Sequence, residues 1–447
     1  MLNRLAFFFV RIVERWMPDP FLFCVLLTLL CYLLGFGLTP TGPLELMTHW
    51  YGGLWEILPF AMQMVLILLT GYALASSAPV RRLLIGMASV PRSQGGAIVL
   101  LTVAALLASL LHWGFALVAS ALLAKEMGRR VPGCDFGFLV AGAYSGFVLW
   151  ASGMSSSIAL LSATPGSPMN VIAHYTPAAV TPIRETLFAP YNLALVGATL
   201  VLVPLMFRWM MPRGPQIRSV APALLAEANN SGGVAVPVAP STPAAWLEQS
   251  RIVSFALVLL GASTLVRHFA RGGRLDLNVM ILLFFVLGLA LHQQPIRYVR
   301  AFNEAARVAG PLALQYPLYG GIMGMMEDSG LAGVIASWFV SFSSPLTFPF
   351  YSFLSSILIT LFIPSGGGHW VVQGPFMIPA AVRLGVPPSV TAMAVAFGEQ
   401  TGNMVQPFWA LPILAIANLS IRDIMGYCVM TFLLSTVLST LVLFLLA

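Results

Sequence analysis

Pro364-Ser365-Gly366-Gly367-Gly368-His369-Trp370 is the densest of several polar stretches that interrupt long apolar runs in this chain. A helix starting after it, from about Trp370, would present free backbone N–H groups and the positive end of its dipole to an anion. Glycines let a ligand come up against that backbone. The plainer reading is a turn between helices, but a turn in water has no need to be so uniformly small or to sit between arms of lipid length. No Gly-Lys-[Ser/Thr] is present, so this is not a Walker loop. A second stretch places Glu399, Gln400, Thr401, Asn403 and Gln406 in an otherwise apolar run. Polar side chains so placed face a cavity and mark a pathway, or bond helix to helix. Glu399 can carry a proton or complete a cation site. A third stretch, Ser152 to Ser157, offers the hydroxyls of Ser155, Ser156 and Ser157, which can bind carboxylate oxygens or hold Na⁺ with Asn403; serines also pack helices tightly. His112-Trp113-Gly114 marks a further break. His112 and His369 can titrate, although a lone histidine more often satisfies local hydrogen bonds. Gln315, Tyr316 and Tyr319 are cavity candidates, and Trp113, Trp150, Trp370 and Trp409 could enclose a short alkyl chain.

The elements that position these groups belong to a membrane protein. The 447 residues are 59% hydrophobic and 8% charged, against about 25% charged in an ordinary soluble domain. That excludes a soluble enzyme, a disordered chain and a nucleic-acid-binding domain. The net charge of +7 lies between apolar runs, so it reads as a topology signal. Nothing points to a cofactor, and the four cysteines show no metal spacing.

Simple spans are expected near residues 20–40, 54–76, 188–207, 252–268, 277–294, 308–326 and 424–446, with two broken ones near 134–162 and 388–418. The stretch 346–382 is about twice too long for one crossing, so it reads as a re-entrant hairpin with its tip at the triglycine. The stretch 95–124 has Arg81, Arg82 and Arg92 before it and Lys125, Arg129 and Arg130 after it. The positive-inside rule wants both flanks in the cytoplasm, making this a second hairpin that turns at His112. With the N-terminus inside, 17 of the 22 basic residues fall on the cytoplasmic side. Residues 1–17, with Arg4, Arg11 and Arg15, read as an interfacial amphipathic helix. Residues 18–212 form a first transmembrane repeat, 213–249 a flexible cytoplasmic linker, 250–275 a linking span, and 276–447 a second repeat. The fold class is therefore all-α and polytopic. Two inverted repeats, each with a re-entrant hairpin and a broken helix, are the layout of a secondary transporter. The His-Trp pairs at 112 and 369 suggest the alignment of the halves. An intramembrane serine hydrolase, using Gly153-Met154-Ser155-Ser156 with His369 as base, and an ion channel are the other classes; two symmetric breaks are surplus for the first.

The runs PSGGGHWVVQGPF, GEQTGNMVQPFWALP, IRDIMGYC, WMPDP, TGYALASSAPV and SATPG resemble the bacterial short-chain fatty acid transporters, the acetoacetate/butyrate uptake proteins of the ion-transporter superfamily. The likeness spans nearly the whole chain and fades in the linker. Thr401-Gly402 stands where bulkier residues are expected. The resemblance implies uptake of short-chain carboxylates across the bacterial inner membrane by an elevator-like dimer. The residues agree with a small monocarboxylate, since no arginine lies convincingly at mid-membrane to clamp a second charge. H⁺ or Na⁺ coupling stays open.

Overall fold

The computed structural model describes residues 20–167, 169–177, 180–212, 242–361, 363–406 and 408–447. The expected interfacial helix at 1–17 and linker residues 213–241 lie outside them. Every regular element among the described residues is helical.

In the first half, α1 (Pro20–Leu38) precedes α2 (Pro43–Glu56) and α3 (Leu58–Ser76), which follow almost end to end with Ile57 between them. The expected span 54–76 thus begins eleven residues early, because α2 carries its polar residues outward while Gly53 packs directly on Gly320. After α4 (Ala78–Ala88), α5 (Gln94–Leu111) and α6 (Trp113–Arg130) are separated by His112 alone. His112 takes an extended backbone, and the two helices pack on each other as a hairpin. The broken span is α7 (Phe136–Ser145), a 3₁₀ turn at Gly146–Ser152, and α8 (Ser157–Ala163). A short helix, α9 (Val171–Tyr175), and α10 (Pro190–Met210), with Pro204 inside it, complete the half. The last residues of the expected linker are not loose: Thr242 caps α11 (Pro243–Gln249), its Oγ1 accepting from Ala245 N at 3.2 Å.

The second half repeats that order. After α12 (Arg251–Ala270) come α13 (Leu277–His292) and α14 (Pro295–Asp328). With 34 residues, α14 is about 51 Å long, well beyond a hydrocarbon core of about 30 Å. Its extra turns at the start carry Arg297, Arg300 and Arg307, which is why charge counting placed the span only at 308–326. Next is α15 (Leu331–Phe342), then a hairpin of α16 (Phe348–Thr360) and α17 (Gly366–Leu384). A broken pair, α18 (Pro388–Gly402) and α19 (Ala410–Ala417), leads to α20 (Ile421–Leu445). Among the described residues, six helical stretches are long and apolar enough to cross a membrane. The stretch 136–163 is 94% buried inside the protein, against 11% for α12. The broken spans are therefore the core, and α12 is a peripheral helix.

The helix starts correct the alignment suggested by the His-Trp pairs. The N-caps of α6 and α17 are His112 and Ser365. His369-Trp370 therefore lies one turn inside its helix, whereas His112-Trp113 stands at the very start. The triglycine is likewise not a gap before a helix that begins near Trp370 but the first turn of α17. Ser365 holds it there, Oγ accepting from Gly368 N at 3.4 Å, which helps offset a glycine cost of about 1 kcal/mol per residue.

Candidate functional site

Each broken helix is tied to a hairpin tip. In the first half, Met154 N donates to Leu110 O at 2.6 Å and Trp113 N donates to Ser155 Oγ at 2.8 Å. The approach requires Gly153, since any Cβ there would run into the backbone of Leu110. In the second half, the Pro364 carbonyl accepts from Trp409 Nε1 at 2.5 Å and Asn403 Nδ2 at 3.4 Å. The two breaks also join each other. Trp150 Nε1 donates to Asn403 Oδ1 at 2.9 Å, and Tyr144 OH donates to Asn403 O at 2.7 Å.

A small cavity of about 20 Å³, room for about one water, lies where these parts meet. Its wall is the first turn of α17 (Ser365, Gly366, Gly367), Ser157 of α8, Tyr316 of α14, and the rings of Trp113, Phe147, Trp150 and Trp409, with Met64. Trp113 and Trp409 meet edge to face at 5.0 Å. Tyr316 OH and Ser365 Oγ are 2.5 Å apart. The amides of Gly366 and Gly367, first in α17, bond to no other described residue. The place a Cβ on Gly366 would take is 2.5 Å from Glu399 Oε2 and 2.7 Å from Ser157 Oγ. Glu399 is fully buried, and neither carboxyl oxygen has a hydrogen-bond partner. A helix N-terminus with two free amides, two hydroxyls and an aromatic enclosure offers the chemistry for one carboxylate with a short alkyl tail, though the cavity, with room for about one water, is closed to such a ligand as it stands.

The expected site residues thus divide. Trp113, Ser157, Ser365, Gly366 and Gly367 converge on the cavity, with Glu399 against the same turn. The others knit the surrounding frame. His112 caps α6, Nδ1 accepting from Phe115 N at 3.2 Å, and Gly114 lets α6 press on the Leu68 backbone. Ser156 caps α8, and Ser155 is taken by Trp113 N. Gln400 and Ser152 bond reciprocally at 3.1–3.2 Å, Thr401 meets Ser435 at 2.7 Å, and Gln406 Oε1 accepts from Phe408 N at 3.0 Å. A side chain on Gly402 would come within 2.8 Å of Thr360, so nothing bulkier fits there. Gly368 backs onto the Tyr319 ring. His369 points into the hairpin, held by Ser356 at 3.1 Å and by Thr360 and Gln373. Among the described residues it has no hydrogen bond to Ser155, so the dyad of a hydrolase is not formed. Trp370 is fully buried and does not line the cavity. The oxygens of Ser155 and Asn403 already accept protein N–H groups. Sequence reading missed Met64 and Phe147, which are apolar residues in apolar runs and carry no distinguishing signal.

Residues 1–446 match the family described as short chain fatty acid transporter. A protein of Escherichia coli K12 is 44% identical over 439 residues, 98% of each chain, and one of Haemophilus influenzae Rd is 40% identical over 431 residues, 96% of each; both are described as "Putative short-chain fatty acid transporter". The fold is similar to the crystal structure of the Alcanivorax borkumensis YdaH transporter, with a TM-score of 0.58 and 18% identity over 95% of this chain and 98% of that one. The family and these relatives are transporters, not enzymes. On this evidence the chain is a multi-pass membrane protein that belongs to the short chain fatty acid transporter family.

Proposed function

We propose that the protein imports short-chain fatty acids or related monocarboxylates, of the size of butyrate and acetoacetate, across the bacterial inner membrane, with its N-terminus in the cytoplasm. The observation that carries this reading is the first turn of α17, where two unbonded glycine amides meet Ser157 and Tyr316 inside an aromatic enclosure. One carboxylate satisfies those donors, and the rings of Trp113, Phe147, Trp150 and Trp409 offer an apolar wall to a few methylenes once the site opens beyond its present water-sized space. Transport is secondary and coupled to H⁺ or Na⁺, with Glu399 as the coupling group and Ser155 and Asn403 as the oxygens nearest in kind to a Na⁺ site. The hairpins and broken helices move together, elevator-like, as two inverted repeats against a frame that includes α14, and two copies form the working dimer. The repeated element order and the tying of each hairpin tip to a broken helix support a single moving body. Labelled acetoacetate or butyrate exchange in proteoliposomes tests the reading: saturable, protein-dependent exchange is expected, and exchange no faster than in protein-free liposomes contradicts it.

A further inference from the structure

We propose that the substrate's carboxylate and the Glu399 carboxylate compete for one place at the start of α17, so that the site accepts the anion only when Glu399 carries a proton. The inference rests on the reading of that turn as the carboxylate seat and deepens it, selecting the proton over Na⁺.

Three observations carry it. Glu399 Oε2 lies against Gly366, in space that even a methyl group could not enter. Both of its oxygens are buried without a partner, while the amides of Gly366 and Gly367, in the turn that Oε2 touches at Gly366, bond to no other described residue. Unmated acceptors and donors thus lie at the same turn, which is costly unless a further group completes them. Two carboxylates sharing such a site cannot both stay ionised. The relief must then come from a charge nearby or from a proton.

No other group supplies the charge. From α14 the ionisable neighbour is Tyr316, whose hydroxyl is bonded to Ser365. From α17 it is His369, turned into the hairpin toward Ser356, Thr360 and Gln373. The first-half break contributes Trp150 and Ser157, neither of which is a charge. On α18 itself, Gln400 and Asn403 are neutral and engaged elsewhere. Among the described residues no arginine, lysine or second carboxylate is paired with Glu399. In the proposed cycle a proton from the outer water binds one Glu399 oxygen as the anion enters. The protonated carboxyl then donates to the substrate's oxygen, and the proton leaves to the inner water when the anion does. Net charge moved is zero, and no bond other than O–H changes.

Neutral butyric acid crosses bilayers unaided, so the test uses purified protein in detergent and the binding of labelled butyrate from mildly acidic to alkaline pH, with and without Na⁺. Wild type should bind with constant affinity in acid and lose about tenfold per pH unit above the titration of Glu399, with one proton taken up per butyrate in that range. Na⁺ should change nothing. Glu399→Gln should bind with an affinity that does not vary with pH. Constant wild-type affinity throughout, rescue of alkaline binding by Na⁺, or an unchanged pH profile in Glu399→Gln would each overturn the inference. If the variant fails to fold, the wild-type proton count decides alone. No butyrate binding at any pH would instead defeat the underlying reading of the seat.

Discussion

Trp150 Nε1 and Asn403 Oδ1 join the two broken helices at 2.9 Å, and the two residues are 253 positions apart. The same interval separates the first residues of α8 and α19, Ser157 and Ala410, and the N-caps His112 and Ser365. A hydrogen bond between matching positions is what a two-fold relation between halves would place on its axis. It also sits beside the cavity, so the joint between the halves and the candidate site share a wall.

That joint sets a stability prediction. Asn403→Leu removes the acceptor and leaves Trp150 Nε1 buried and unpaired, a cost of about 1–3 kcal/mol. Thermal unfolding in detergent should show a lower Tm. Because the two side chains bond each other, Trp150→Phe combined with Asn403→Leu should lose less than the sum of the single losses. Strict additivity would mean that the contact is energetically idle.

Topology has its own check. If α5 and α6 re-enter from the face they left, Ser93→Cys and Lys125→Cys should react with an impermeant thiol reagent from the same side, the cytoplasmic one. All four native cysteines are buried, which keeps the background low. Labelling from opposite faces would make the pair one straight crossing and remove the inverted-repeat proposal.

A pH-sensitive clasp lies outside the spans. His174 of α9 meets Glu327 at the end of α14, Nδ1 to Oε1 at 3.8 Å. The Glu327 carboxylate beside it raises the His174 pKa above its usual value, against the opposing pull of burial. A raised histidine contributes stability that is full at acid pH and lost as pH rises through its folded-state value. Both side chains are partly exposed, so the effect is small. Wild type should lose a little Tm between mildly acidic and mildly alkaline pH, and His174→Gln should flatten that part of the profile. An identical profile in the variant would exclude the clasp.

Much of this architecture was legible in residue types. Proline, glycine and polar side chains inside lipid-length runs announced the second hairpin and both breaks, because each is expensive in hydrocarbon without a structural partner. The flank of Arg92 and Lys125 separated a hairpin at His112 from a single tilted helix. Boundaries were less legible. Gly366 to Gly368 read as a helix breaker because the sequence cannot show that Ser365 caps the turn and that Phe60, Tyr319 and Trp150 pack around it. The His-Trp pairs misled because identity of residues does not imply identity of helix position. Within the site, Ser155, Gln400, Thr401 and Gln406 had the same chemistry as Ser157 and Glu399, and only tertiary packing separates those that knit the frame from those that face the cavity. Met64 and Phe147 could not be told from core.

The central claim is that the start of α17 seats a short carboxylate, and counterflow of labelled acetoacetate in proteoliposomes compares it directly between wild type and Gly367→Val. A Cβ on Gly367 runs into the Phe60 ring, 2.7 Å from Cε1, so valine must displace the turn that bears the free amides. The account predicts saturable counterflow in wild type, inhibited by unlabelled butyrate, and a loss of at least about tenfold in a variant that still purifies as folded protein. Wild-type counterflow in folded Gly367→Val would contradict it.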